Sequence, residues 1–215
     1  MQNDNPEQKD PNYYQCLKAW MLPLIQNGPN VVLDMGCATG NMGKKLLEIG
    51  KAKEVIGMEL FEAAALEASK HYKKVHVGDV EMMTLDYEAY FDYVICGDIL
   101  EHLKDPYTVV KRACRWLKPG GSILVCLPNV RNYRVLKALV FRGEWEYVSA
   151  GIMDRTHLRF FTKSSLRCMV EEAGFEVYHQ HMVIEGSKKN FFNRATFGLV
   201  DEFLAAQSFC CGRKV

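Results

Sequence analysis

The stretch Val31 to Gly43, VVLDMGCATGNMG, places its chemistry in a turn. An apolar run ends in Asp34, bends through Gly36, Cys37 and Gly40, and opens a helical pattern at Asn41 or Met42. Glycines in such a turn let backbone approach a ligand because no Cβ intervenes, and the helix start beyond them offers unpaired N–H groups. The spacing is not the G-x-G-x-x-G of a diphosphate cradle, since the glycines fall at 36, 40 and 43 and Ala38 stands where a second glycine belongs. Asp34 would repel a diphosphate, whereas it suits an ammonium group. Glu59 ends the next apolar run and is placed to accept hydrogen bonds from two ribose hydroxyls. Its other reading is a solvated acid that caps the helix starting near Phe61. Asp79 closes the third run, either as a ligand group or as a turn former, and Gly97 with Asp98 closes the fourth. A ligand with a ribose, an adenine, an amino-acid head and no phosphate satisfies the whole set.

The elements that must hold these residues alternate. Short apolar runs at 31–35, 54–58, 74–77, 91–96 and 121–127 predict strands, and 41–50, 61–71 and 105–117 predict helices between them. That rhythm implies βαβ units with right-handed crossovers and a doubly wound, mostly parallel sheet, whose ligands lie beyond the carboxyl ends of the strands. Pro119, Gly120 and Gly121 are expected to stop a helix and turn into the fifth strand. Helical spacing of Tyr14, Leu17, Met21 and Leu24 predicts a capping helix over 12–26, broken near Pro23, after a disordered leader at 1–10. Past Pro128 the alternation lapses over about 130–160, too long for a plain connection and therefore read as a lid. A helix in KSSLRCMVEEAGF, a strand at 176–184, a loop at 188–193, a helix at 194–206 and a short final strand in QSFCCGRKV complete one domain over 11–215.

Bulk composition narrows the partners. With 215 residues, 48% apolar, the chain can bury one sizeable core, and a net charge of +1 gives no global field for nucleic acid. Several of the eight cysteines sit inside apolar runs such as VICG and ILVCLP and no CxxC occurs, so neither disulfides nor a metal is expected. No apolar segment is long enough to span a bilayer, and a reducing cytoplasm is the expected setting.

The motifs VLDMGCATGNMG, VIGMEL, VHVGDVE, FDYVICGDILEHLKDP and LKPGGSILVCLPN, in this order over 31–129, resemble the class I S-adenosylmethionine-dependent methyltransferases. The resemblance implies a Rossmann-like sheet of seven strands, the last antiparallel, with helices on both faces. It implies S-adenosylmethionine as cofactor, with Asp34, Gly36, Cys37 and Gly40 at its methionine part, Glu59 and Leu60 at the ribose, Asp79 and Val80 at the adenine, and Gly97 and Asp98 near the amino group and sulfonium. The later segment, DRTHLRFFT above all, is similar to a bacterial subgroup associated with glycosyltransferases and surface-polysaccharide biosynthesis. The alternatives are a non-catalytic S-adenosylmethionine-binding protein and an NAD-dependent oxidoreductase.

Methyl transfer from a sulfonium is an in-line displacement, so the protein must align a nucleophile about 3 Å from the reactive carbon. A hydroxyl nucleophile gains from a base, and histidine titrates in the useful range. His102 in GDILEHL and His157 in DRTHLRFF are the rival candidates; the former can instead be a helix-start residue facing the sheet or solvent. His179 and His181 share a strand face without a third ligand. Arg131, Arg134, Lys137, Arg142, Arg155 and Arg159 are interleaved with Tyr133, Phe141, Trp145, Tyr147, Phe160 and Phe161. Such a mixture suits a sugar-like acceptor, phosphorylated or nucleotide-linked, and equally a solvated basic face that docks on the sheet or on a second subunit of a homodimer. Gly97-Asp98-Ile99-Leu100 is not the Asn-Pro-Pro-aromatic turn of adenine or amide N-methylation, and Cys96 lacks the proline of a cytosine-attacking loop.

Overall fold

Val31 to Met35 is apolar except for Asp34, and all five residues are buried, as befits a strand covered on both faces. A computed structural model describes residues 17–215, in which this segment forms β1 (Asn30–Met35) at the middle of a seven-stranded sheet. Its parallel neighbours are β2 (Ala52–Glu59) and β4 (Phe91–Gly97), with β3 (Lys74–Val77) at one edge. On the other side follow β5 (Leu117–Pro128), β7 (Gln207–Lys214) and β6 (Phe175–Val183), giving the order β3-β2-β1-β4-β5-β7-β6. Only β7 runs antiparallel to its neighbours. The chain winds outward from β1 to β3 and returns at β4, so the crevice between β1 and β4 is the switch point where an open α/β sheet holds its ligand.

Two buried clusters sandwich the sheet. One joins Leu33 and Met35 to Val110 and Trp116 of α3 (Pro106–Trp116) and to Leu166 and Met169 of α5 (Lys163–Glu172). The other joins Val32 to Leu46 of α1 (Asn41–Glu48), Ala68 of α2 (Glu62–Ala68) and Met21. Local sequence fixes the helix starts. Asp105 accepts from the Thr108 N–H at 3.2 Å with Pro106 in the first turn, and Thr162 and Ser165 form a reciprocal capping box.

Four expectations are corrected. The capping helix over 12–26 is, in its described part, a 3-10 helix at Ala19–Leu24, because Pro23 lacks the N–H an α-helix needs; residues 12–16 and the leader at 1–10 lie outside the described residues. Pro119 to Gly121 do not precede the fifth strand but belong to it: α3 stops at Trp116, Leu117 pairs with Phe91, and Gly120 (φ +76°) lies in an irregular stretch of the ladder. The loop at 188–193 is helix α6 (Ser187–Ala195). The helix at 194–206 is interrupted, since Phe197 and Gly198 adopt positive φ (52° and 79°) and only α7 (Asp201–Leu204) resumes. Between β5 and α5, α4 (Tyr133–Lys137) runs into a π turn at Ala138–Arg142 that stops at left-handed Gly143, and residues 143–162 are mostly irregular.

Candidate functional site

A cleft of about 640 Å³ opens at the carboxyl ends of β1, β2, β3 and β4. Asp34, Gly36 and Cys37 line it from β1; Glu59 and Leu60 from β2; Asp79 and Val80 from the turn after β3. Gly97, Asp98 and His102 line it beyond β4, and Lys18 and Thr156 close over it from the N-terminal segment and the insertion. Of the candidate cofactor-binding and catalytic residues, Gly40 and His157 lie off this wall.

The turn glycines make room for protein atoms, and Gly36 at the same time borders the cleft. A Cβ on Gly36 would come within 3.0 Å of Ile99, one on Gly40 within 2.9 Å of Ala68, and one on Gly43 within 2.4 Å of the Tyr72 ring. Gly57 completes the notch, since its Cβ would lie 3.0 Å from the same ring. The Tyr72 hydroxyl so seated donates to Asp34 Oδ2 at 2.6 Å and accepts from the Gly43 N–H at 2.9 Å. It therefore ties the first-strand acid to the start of α1. Tyr72 follows the predicted second helix and carries no local mark of this role.

Burial raises the Asp34 carboxyl to about 7, the Tyr72 hydrogen bond opposes that rise, and the nearby Glu59 adds to it. A cation arriving beside Asp34 would restore the ionised form. Glu59 is also buried; its Oε2 accepts from the Ala38 N–H at 2.8 Å and its Oε1 from the Phe61 N–H at 3.0 Å. The capping alternative is thus present at Phe61, the N-cap of α2, and Glu59 also fixes the turn at Ala38, whose φ is +47°. Each carboxylate oxygen has two lone-pair directions, so one on each is left for a ligand donor. Asp79 Oδ1 accepts from the Glu81 N–H at 2.8 Å, the turn-forming role.

Asp98 (φ +59°) pairs with Lys18 Nζ at 2.5 Å and accepts from Gln207 Nε2 at 2.8 Å. Lys18 and Gln207 went unnoticed in the sequence because they lie 80 and 109 residues from Asp98 and belong to no motif.

The two histidines, rivals in the sequence, adjoin one another. Glu101 and His102 belong to the 3-10 turn Leu100–His102, and the insertion is laid against that turn by N–H donation from Leu158 and Arg159 to the Glu101 carbonyl at 2.8 and 3.0 Å. Asp154 shapes the insertion there, its Oδ1 accepting from both the N–H and the hydroxyl of Thr156 at 2.9 and 2.7 Å. The His102 and His157 rings meet edge to face with centroids 4.8 Å apart. His102 Nδ1 lies 3.1 Å from the Thr156 carbonyl and His157 Nδ1 2.9 Å from the Ile152 carbonyl; a carbonyl only accepts, so both rings carry a proton on Nδ1. His157 Nε2 stands 3.9 Å from Glu101 Oε1. Burial above all, and then Asp98, push the Glu101 carboxyl well above its ordinary range. Glu101, His102 and His157 form the one group among the described residues whose spacing suits a metal ion. His179 and His181 stack at 6.3 Å on β6 outside that group.

A family model described as a methyltransferase domain matches residues 11–180. The chain belongs to this methyltransferase family. Membership makes S-adenosylmethionine the cofactor and removes the nicotinamide alternative. Among curated relatives, the ubiquinone biosynthesis O-methyltransferase of Thiobacillus denitrificans is 33% identical over 153 residues, 67% of this chain and 64% of that protein. The protein of the same name from Hydrogenovibrio crunogenus is 30% identical over 149 residues, 66% of this chain and 61% of its own. The chain thus spans less than two thirds of the length of these relatives. A S-adenosylmethionine-dependent methyltransferase structure from Archaeoglobus fulgidus superposes with a TM-score of 0.69 over 94% of each chain at 18% identity, which shows the shared fold. Among the described residues no helix is long and apolar enough to cross a membrane.

Proposed function

We propose that this methyltransferase moves the methyl group of S-adenosylmethionine to a hydroxyl oxygen of a small molecule. The observation that carries the proposal is the polarity of the cleft at the strand ends, whose wall includes the buried acids Asp34 and Glu59 and also His102. Asp34 suits the ammonium of the amino-acid head, Glu59 the ribose hydroxyls, and Asp79 with Val80 the adenine. The residues present fit the cofactor because both acids in the turn region are paired with neutral donors, so a cation and hydroxyls find acceptors there. The cofactor supplies an electrophilic methyl carbon. The protein then has to hold the acceptor in line and take up its proton. With His102 Nδ1 on the Thr156 carbonyl, Nε2 is the ring atom that would take up that proton, and His157 behind it positions the ring. The names of the relatives favour an oxygen acceptor.

A sugar-like acceptor, of the kind met in polysaccharide biosynthesis, is the second reading. The aromatic group of the insertion supports it, because Trp145 and Tyr147 adjoin Phe160 at 5.1 and 6.1 Å, and Phe160 lies 6.5 Å from His157. Three cations of the insertion already have protein partners. Arg131 is paired with Glu202, Arg142 with Glu144, and Arg159 with the Lys104 carbonyl. Incubation of the protein with methyl-labelled cofactor and a panel of phenols, sugars and nucleotide sugars tests both readings. Label recovered in a methoxy product is the expected result. Cofactor binding without label in any oxygen acceptor overturns the assignment in favour of a binding protein.

A further inference from the structure

We propose that α4 with its π turn, together with α6, forms one basic and apolar face that docks on the surface of an anionic lipid bilayer. The two segments are neighbours at one edge of the sheet. Because β7 is antiparallel to both β5 and β6, these two strands run the same way, and the chain leaves their carboxyl ends into α4 and α6 at the edge that also carries the cleft. Lys189 Nζ of α6 lies 5.9 Å from the centre of the Tyr133 ring of α4, and the Arg131 guanidinium stands 5.0 Å over the Phe203 ring of α7. The Tyr133 hydroxyl is held below its ordinary range by Arg134 foremost and also by Lys189 and Lys137, so cations of both segments gather around one ring.

Charge is concentrated here by the sequence. Residues 130–143 hold Arg131, Arg134, Lys137 and Arg142 and no acid, and residues 186–200 hold Lys188, Lys189 and Arg194 and no acid. Seven positive charges within a chain of net +1 leave the remainder at −6. Arg131 and Arg142 pair with Glu202 and Glu144, whereas no ion pair among the described residues engages the other five. The apolar part is equally one-sided, since neither α6 nor the π turn buries any residue, and Phe141, Phe191, Phe197 and Leu199 are 80%, 76%, 94% and 82% exposed. Lys188 and Lys189 precede Phe191 and Phe192 by one helical turn, so ammonium and ring share a face. Neighbouring apolar side chains left in solvent in this number mark a docking surface. Its occupant follows from shape and charge. Side chains so exposed project instead of lining a groove, which suits a bilayer interface, where apolar tips enter the acyl boundary and cations meet anionic headgroups. A second copy fits badly, because a twofold contact brings a patch onto itself and would set the same cations against one another. The face is independent of the methyl-transfer proposal above.

Co-sedimentation of the full chain with vesicles of phosphatidylcholine alone, or of equal parts phosphatidylcholine and phosphatidylglycerol, tests the face. The expected result is uptake by the anionic vesicles only, reduced by added salt. Lys188→Glu with Lys189→Glu, and separately Phe191→Ser with Leu199→Ser, should each weaken that uptake at least about tenfold. Lys45→Glu with Lys70→Glu, which changes the net charge equally but outside the face, should weaken it by less than about threefold. Thermal unfolding reports whether each variant folds, and either folded face variant decides. Four results overturn the proposal: no uptake of the wild type by anionic vesicles, unchanged uptake of the folded face variants, equal weakening by the control pair, or a wild-type dimer that Phe191→Ser with Leu199→Ser separates.

Discussion

The two ends of the cleft are built by different means. At the β1–β2 end the polar groups find partners within the β1–α1–β2–α2 segment: Glu59 holds the Ala38 N–H across adjacent strand ends, and Tyr72, just after α2, fits a notch left by Gly40, Gly43 and Gly57. At the insertion end the partners come from far along the chain. Leu158 and Arg159 dock on Glu101, and the Asn129 and Asn132 amides donate to the Ala205 carbonyl at 3.1 and 2.8 Å. Val140 and Phe141 of the insertion are 70% and 80% exposed, whereas Val32, Leu33 and Met35 of β1 are fully buried.

This contrast can be broken most severely at Gly43. Gly43→Ala forces a Cβ to within 2.4 Å of the Tyr72 ring, and should destabilise the chain by about 1–3 kcal/mol in denaturant unfolding. A stability unchanged within 0.5 kcal/mol would show that the notch yields. At the other end, Asp154→Ala removes two hydrogen bonds that shape the loop before His157, so a loss of about 1–2 kcal/mol is expected. Methyl transfer should fall while homocysteine-nucleoside affinity stays the same. A parallel fall in that affinity would mean that the two ends are not separate.

A further effect is expected from pH. The Asp34 carboxyl is about 7 in the fold against an ordinary 3.8, so between those values the folded state holds the extra proton. Stability of the ligand-free chain should therefore decline as pH rises from about 4 through 7, and Asp34→Asn should flatten that slope in thermal scans. An unaltered slope in the variant would place the titration elsewhere. The smallest effect belongs to the insertion surface: Phe141→Ser should change stability by less than about 0.5 kcal/mol, because the ring is already in solvent. A larger loss would mean that the surface is covered in solution.

What the sequence discloses follows the same line. β1, β2 and β4 are legible because a buried parallel strand is an unbroken apolar run, and Asp34, Glu59 and Asp98 because each follows such a run directly. The purpose of the glycines was not legible, since the ring that fills their notch comes from Tyr72, 29 residues beyond Gly43. The same holds for Lys18 and Gln207 at Asp98, and for the meeting of His102 with His157, which depends on a 54-residue return from Thr156. Helices α6 and α7 were misplaced because the segment buries little, so no apolar stripe marks its turns.

The central claim is that this cleft receives a nucleoside with an amino-acid head, held by Glu59 through its ribose. Calorimetry with S-adenosylhomocysteine on the wild-type chain and on Glu59→Ala tests it most directly. The account predicts one site in the wild type and an affinity loss of about 1–3 kcal/mol in the variant, as hydroxyls lose a charged acceptor. Equal dissociation constants for the two proteins, or no heat from the wild type at millimolar ligand, would contradict it.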